Sequence, residues 1–256
     1  MMNQITPVVR QLLIINVVIY VGLLMLNSAG TNGKTIFHEY FKVHKVNVLG
    51  IHKTIEVYGT DYMANPNASW EQIREYQEYV DQSREEREKI VQDWHALDQF
   101  KPIQVVTYFF SHDVQNFYHI LFNMMALFFL GPSLEMVMGQ KRFLRFYLFC
   151  GVFAGIALAL FDPSLAPVLG ASTAVSGVLI AFAMMFPRQK ISLLFLPMFR
   201  FEVRWLALVA VGVSLFFSIA AFFDPGAGGG VSHFGHLMGI VGAVLYFYVE
   251  KFLPQT

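Results

Sequence analysis

Six stretches free of charged residues constrain this chain more than any other feature: 11–29, 114–134, 146–161, 163–187, 205–223 and 231–249. A helix needs about 20 mostly apolar residues to cross a bilayer. Five of the runs approach or exceed that length. The sixth, 146–161, is short, but Phe143 and Leu144 extend it while Arg145 snorkels to the surface. We therefore read six transmembrane helices, TM1 to TM6 in the order given, and an all-α membrane protein. Composition agrees: 55% of residues are hydrophobic and 14% charged, whereas a soluble domain carries about 25% charged residues. A shorter apolar run, 191–199, holds Pro197 between Lys190 and Arg200. It is too short to span and is expected to lie in the interface.

The domain reading follows from these runs. Residues 1–29 form TM1, 30–113 an extracytoplasmic insert, and 114–256 the TM2–TM6 bundle, together one domain. TM1 is read as a membrane anchor rather than a cleaved signal peptide, because the run is long for a signal and no strong basic segment precedes Arg10. Orientation follows from lysine and arginine in the short loops. Lys141, Arg142 and Arg145 lie between TM2 and TM3, and Arg188, Lys190, Arg200 and Arg204 between TM4 and TM5. The connections at 162–163 and 224–230 carry none. Both termini are then cytoplasmic. In the insert, Ser69 to Gln72 resembles a capping box, and Trp70, Ile73, Tyr76 and Val80 recur at helical spacing. An amphipathic helix covering the membrane surface is expected there, with substrate gating as the alternative role. The zero formal net charge makes no case for nucleic acid. The single cysteine, Cys150, says little about compartment.

Strongly polar residues inside spanning helices are costly and so are functional candidates. Four stand out: His119 and Asn123 in TM2, Ser172 in TM4 and His236 in TM6. His119, Ser172 and His236 each follow the outer end of their helix by five residues, counted from Val114, Pro167 and Val231. At 1.5 Å per residue, all three lie roughly 8 Å below the helix start. Such a constellation suits hydrolysis. A neutral histidine takes the serine proton, and an imidazole, an amide and backbone N–H groups at a helix start hold an oxyanion. Small residues at Gly235, Gly239 and Ala243, facing Gly170, Ala171 and Ala174, allow close approach of TM6 and TM4. Each element also has a plain structural reading: a serine bonded to its own helix, a histidine bridging helices, a small-residue stripe used only for packing.

These residues resemble the rhomboid family of intramembrane serine proteases. His119 to Asn123 matches the family's HxxxN element, Gly170-Ala171-Ser172 its GxS element, and His236 to Gly239 its HxxG element. Leu130 to Glu135, followed by Gly139, resembles the end of the second helix. The resemblance implies a six-helix rhomboid-like bundle. It also implies Ser172 as nucleophile, His236 as general base, His119 and Asn123 as oxyanion support, and transmembrane helices as substrates. Two positions depart from the family pattern. Thr173 follows the nucleophile where glycine is usual, and Ser176 stands where an aromatic often packs on the histidine. His233 competes with His236 for the base role but fits HxxG poorly. A His233–His236 metal pair is disfavoured, since no carboxylate or third ligand accompanies it. No cofactor is expected. A non-catalytic scaffold binding membrane helices is the alternative; a small transporter would need an inverted repeat, which is not seen. The expected partners are transmembrane proteins and the lipid bilayer, and the expected location is a bacterial inner membrane.

Overall fold

The computed structural model describes residues 5–28, 101–162, 168–193, 196–224 and 227–250. All of them belong to one compact unit. The amphipathic segment expected at 69–97 lies outside the described residues. Among the described residues, six apolar helices carry the unit: α1 (Pro7–Ser28), α2 (Phe117–Met138), α3 (Gln140–Phe161), α4 (Ser172–Met185), α5 (Val203–Phe223) and α6 (His233–Glu250). A short helical turn, Gln104–Thr107, runs into a 3-10 turn at Tyr108–Phe110 ahead of α2.

The protein is an all-α membrane bundle. The helices α1, α2, α3 and α5 are long and apolar enough to cross a membrane. The other two fall short of that standard among the described residues. With 14 residues, α4 is about 21 Å long against a hydrocarbon core of about 30 Å. The 18 residues of α6 include His233, His236 and Glu250. Apolar side chains stand outward, as a lipid solvent permits: Val18 and Met25 on α1, Phe129 and Met136 on α2, Val209, Phe216 and Phe222 on α5. Of the four spanning helices, α5 is the most apolar and the least buried, the signature of a helix at the rim of the bundle.

The run at 191–199 proves to be part of a β-hairpin, β1 (Lys190–Leu193) and β2 (Leu196–Glu202), paired antiparallel with Lys190 opposite Glu202 and Ser192 opposite Arg200. The sequence reading put this stretch at the interface without assigning it strands. Pro197 disfavours a helix there.

Two devices fix the first half of the bundle. Gly139 alone joins α2 to α3, with φ 79°, a backbone region that side chains other than glycine's rarely adopt. Its N–H closes α2 on the Glu135 carbonyl, and its own carbonyl accepts from Phe143 N–H. The Glu135 side chain, 2% exposed, meets the start of α1. One carboxyl oxygen accepts from Val8 N–H at 3.0 Å; the other accepts from Val9 N–H at 2.9 Å and from Thr6 Oγ1. Free N–H groups at a helix start must find acceptors, most of all away from water. Glu135→Ala should therefore cost about 3 kcal/mol of stability, with Glu135→Gln milder, because several buried donors lose one acceptor together. Thermal unfolding of the detergent-solubilised variants checks it. An Ala variant melting with wild type would refute this role.

Candidate active site

The helices that carry the polar residues begin later than the uncharged runs suggest: α2 at Phe117, α4 at Ser172 and α6 at His233. His119, Ser172 and His236 consequently sit in the first turn of their helices. Ser172 is the first residue of α4. The backbone N–H groups around it belong to the unpaired first turn, at the positive end of the helix dipole.

Two glycines set the approach to Ser172. Gly170 has φ 126°, and a Cβ there would lie 2.6 Å from His119 Nε2 and 3.5 Å from Ser172 Oγ. The glycine of the GxS element thus serves both the turn and the imidazole that fills the space of its missing side chain. Gly239, three residues after His236, lies against the Thr173 backbone, where an added Cβ would stand 1.9 Å from Thr173 O. The helices α4 and α6 touch main chain to main chain at that point. The contact brings His236 Nε2 to 2.8 Å from Ser172 Oγ. Both side chains are half-buried.

Of the four residues singled out, the structure therefore brings Ser172, His236 and His119 together. Asn123 is buried one turn deeper on α2, where its Nδ2 donates to His119 O at 2.8 Å. His119 Nδ1 faces the Asp113 N–H at 3.4 Å. His233 does not hold the serine. Its ring stacks on Phe217 with centroids 4.6 Å apart and meets His236 edge to face at 6.0 Å. A ring neighbour for His236 thus comes from position 233, on its own helix.

Sequence reasoning missed two residues here. His112, fully buried, packs edge to face on His119 at 5.2 Å, and neither of its ring nitrogens has a hydrogen-bond partner among the described residues. Burial, with His119 beside it, drives its pKa from the ordinary histidine value down to about 3, so it is neutral at physiological pH. Tyr108, also fully buried, bonds to Thr173. Neither residue lies in a spanning run, where a polar group is conspicuous for its desolvation cost.

The chain matches the Rhomboid domain family over residues 99–251. It is 39% identical over 101 residues to Rhomboid protein 1, mitochondrial, of Saccharomyces cerevisiae, covering 37% of this chain and 28% of that protein. It is 31% identical over 135 residues to Presenilin-associated rhomboid-like protein, mitochondrial, of Homo sapiens, and 31% over 131 residues to the Bos taurus protein of that name. Each of these two matches covers 49% of this chain and 34% of the relative. The chain thus spans about a third of the length of the curated relatives it matches. With more than half of its residues inside the family match and its apolar helices arranged as a membrane bundle, the chain belongs to the rhomboid family.

Proposed function

We propose that this multi-pass membrane protein is a serine endopeptidase that cleaves transmembrane-helix substrates at or near the bilayer surface. The observation that carries the reading is the 2.8 Å pairing of Ser172 Oγ with His236 Nε2 at the start of α4, beside His119. Neutral His236 takes the Ser172 proton as Oγ attacks the scissile carbonyl. The negative charge that develops on the carbonyl oxygen meets the backbone N–H of Ser172 and the His119 side chain, with Asn123 supporting it from one turn deeper on α2. His236 then passes its proton to the leaving amine, and water, deprotonated by the same imidazole, releases the acyl group. A substrate must unwind locally to present its peptide bond, since helical carbonyls and N–H groups are already paired and shielded.

In this reading the first turns of α2, α4 and α6 face the outer side of the membrane, and both termini face the cytoplasm. We place the chain in a bacterial inner membrane; the matched relatives are named as mitochondrial proteins, so native cell fractionation is the check. The activity is tested by incubating the purified protein in liposomes with a model transmembrane substrate and, separately, with a fluorophosphonate. Substrate cleavage, and a single phosphonylated residue mapped by mass spectrometry to Ser172, are expected. Label at another serine refutes the assignment. Neither cleavage nor label, with the protein folded, favours a scaffold that binds membrane helices.

A further inference from the structure

Resting on the protease reading, the inference concerns how the nucleophile is held. Thr173 follows Ser172 where the family usually has glycine, and its side chain is 1% exposed. A buried hydroxyl needs a partner. The partner is Tyr108 OH, at 3.0 Å. The Tyr108 hydroxyl also donates to Gly151 O on α3 at 2.8 Å. A phenol has one proton to give. With that proton on Gly151 O, Thr173 Oγ1 is the donor to Tyr108, and the chain runs in one direction: Thr173, Tyr108, Gly151. Burial pushes the Tyr108 phenol above its ordinary pKa, so the proton stays in place through the working range.

The backbone of the same residue is engaged too. Gly170 N–H donates to Tyr108 O at 2.9 Å. Tyr108 therefore grips the chain two residues before Ser172 and one residue after it. The tyrosine is itself wedged in α3, where a Cβ on Gly155 would meet its ring at 2.7 Å.

We propose that Tyr108 and Thr173 form a clamp that positions Ser172, fixing the rotation of the α4 N-terminus and with it the direction of Oγ and of the Ser172 N–H. Neither residue touches substrate in this scheme. Both act through Ser172. The glycine usual after the nucleophile has no side chain with which to make this bond, so the clamp is a feature of this chain's own sequence.

The test compares Tyr108→Phe, Thr173→Val, Thr173→Ser and the double variant Tyr108→Phe/Thr173→Val. The readouts are kcat and KM on a model transmembrane substrate and the rate of Ser172 labelling by fluorophosphonate, with thermal unfolding alongside. Tyr108→Phe and Thr173→Val should each lower kcat and labelling about ten-fold with KM within about two-fold, as expected when a reacting group is misdirected while substrate binding is intact. The double variant should fall no further than the worse single one, because both remove the same bond. Thr173→Ser keeps the hydroxyl and should retain near wild-type kcat. Tyr108→Phe with unchanged kcat and labelling overturns the clamp, as does a fully multiplicative double variant or a Thr173→Ser that falls with Thr173→Val. If Tyr108→Phe does not fold, the Thr173→Val and Thr173→Ser pair decides alone. A wild-type chain left unlabelled at Ser172 overturns the protease reading and the clamp together; a labelled wild type with normal Tyr108→Phe overturns the clamp only.

Discussion

Ser172→Ala is expected to lower kcat on a transmembrane substrate by about 10⁴-fold or more while the protein stays folded. The hydroxyl oxygen forms the covalent bond in the proposed reaction, and among the described residues no other nucleophile stands at the end of His236. His236→Ala should fall by a similar factor, and the double variant little further, since nucleophile and base act as one unit. The structural cost is small by comparison. Ser172 is half-buried, and losing one hydrogen bond there costs about 1 kcal/mol. Activity and unfolding temperature should thus separate cleanly. Quantified cleavage on gels, with calorimetry of the same samples, measures both. Cleavage persisting in Ser172→Ala would end the dyad assignment.

Gly239→Ala should also damage activity, though less than loss of the nucleophile, through geometry rather than chemistry. The new methyl would stand 1.9 Å from Thr173 O and 2.8 Å from Thr173 C, where ordinary contact begins at 3.4 Å. Its neighbour is backbone and cannot swing aside as a side-chain tip can. The two helices must separate by roughly the missing distance. Thr173 adjoins Ser172, and Gly239 follows His236 by less than one helical turn, so the separation reaches the 2.8 Å hydrogen bond directly. A misplacement of about 1 Å in a catalytic pair costs about a hundred-fold in rate, and overpacking costs about 1–3 kcal/mol of stability. Gly212→Ala on α5 is the control. Nothing lies within 4 Å of a Cβ there, and alanine is the better helix former, so activity should be unchanged and stability equal or slightly raised. Equal behaviour of the two variants would show that α4 and α6 do not depend on this contact.

The apolar runs settled the fold class, because the transfer of a segment into lipid depends on that segment's own composition. Positions of α1, α2, α3 and α5 follow from that rule. The same rule overextended the fourth run. Residues 168–171 are uncharged, yet the turn at Gly170 holds the chain out of helix until Ser172. Hydropathy does not register a turn made of small residues. The residue types of the site were legible as well, since a histidine, an asparagine and a serine within apolar helices are conspicuous for their desolvation cost.

Beyond the Ser172–His236 pairing, contacts across long sequence separations were not legible. Glu135 satisfies the start of α1 from 126 to 129 residues away, and Tyr108 meets Thr173 across 65. Nothing in the local pattern around any of these residues names its partner. The HxxG resemblance favours His236 over His233 for the base role, but it carries no distance to the serine. Both histidines sit in the first turn of α6, and only the packing of α6 on α4 gives His236 the serine and leaves His233 on Phe217. The sequence by itself determined a bundle of apolar helices with a serine, an asparagine and histidines near its surface, because burial in lipid is a property of each segment alone. The tertiary structure decided how closely His236 meets Ser172 and what holds Ser172 in turn, because a hydrogen bond of 2.8 Å depends on where two helices cross.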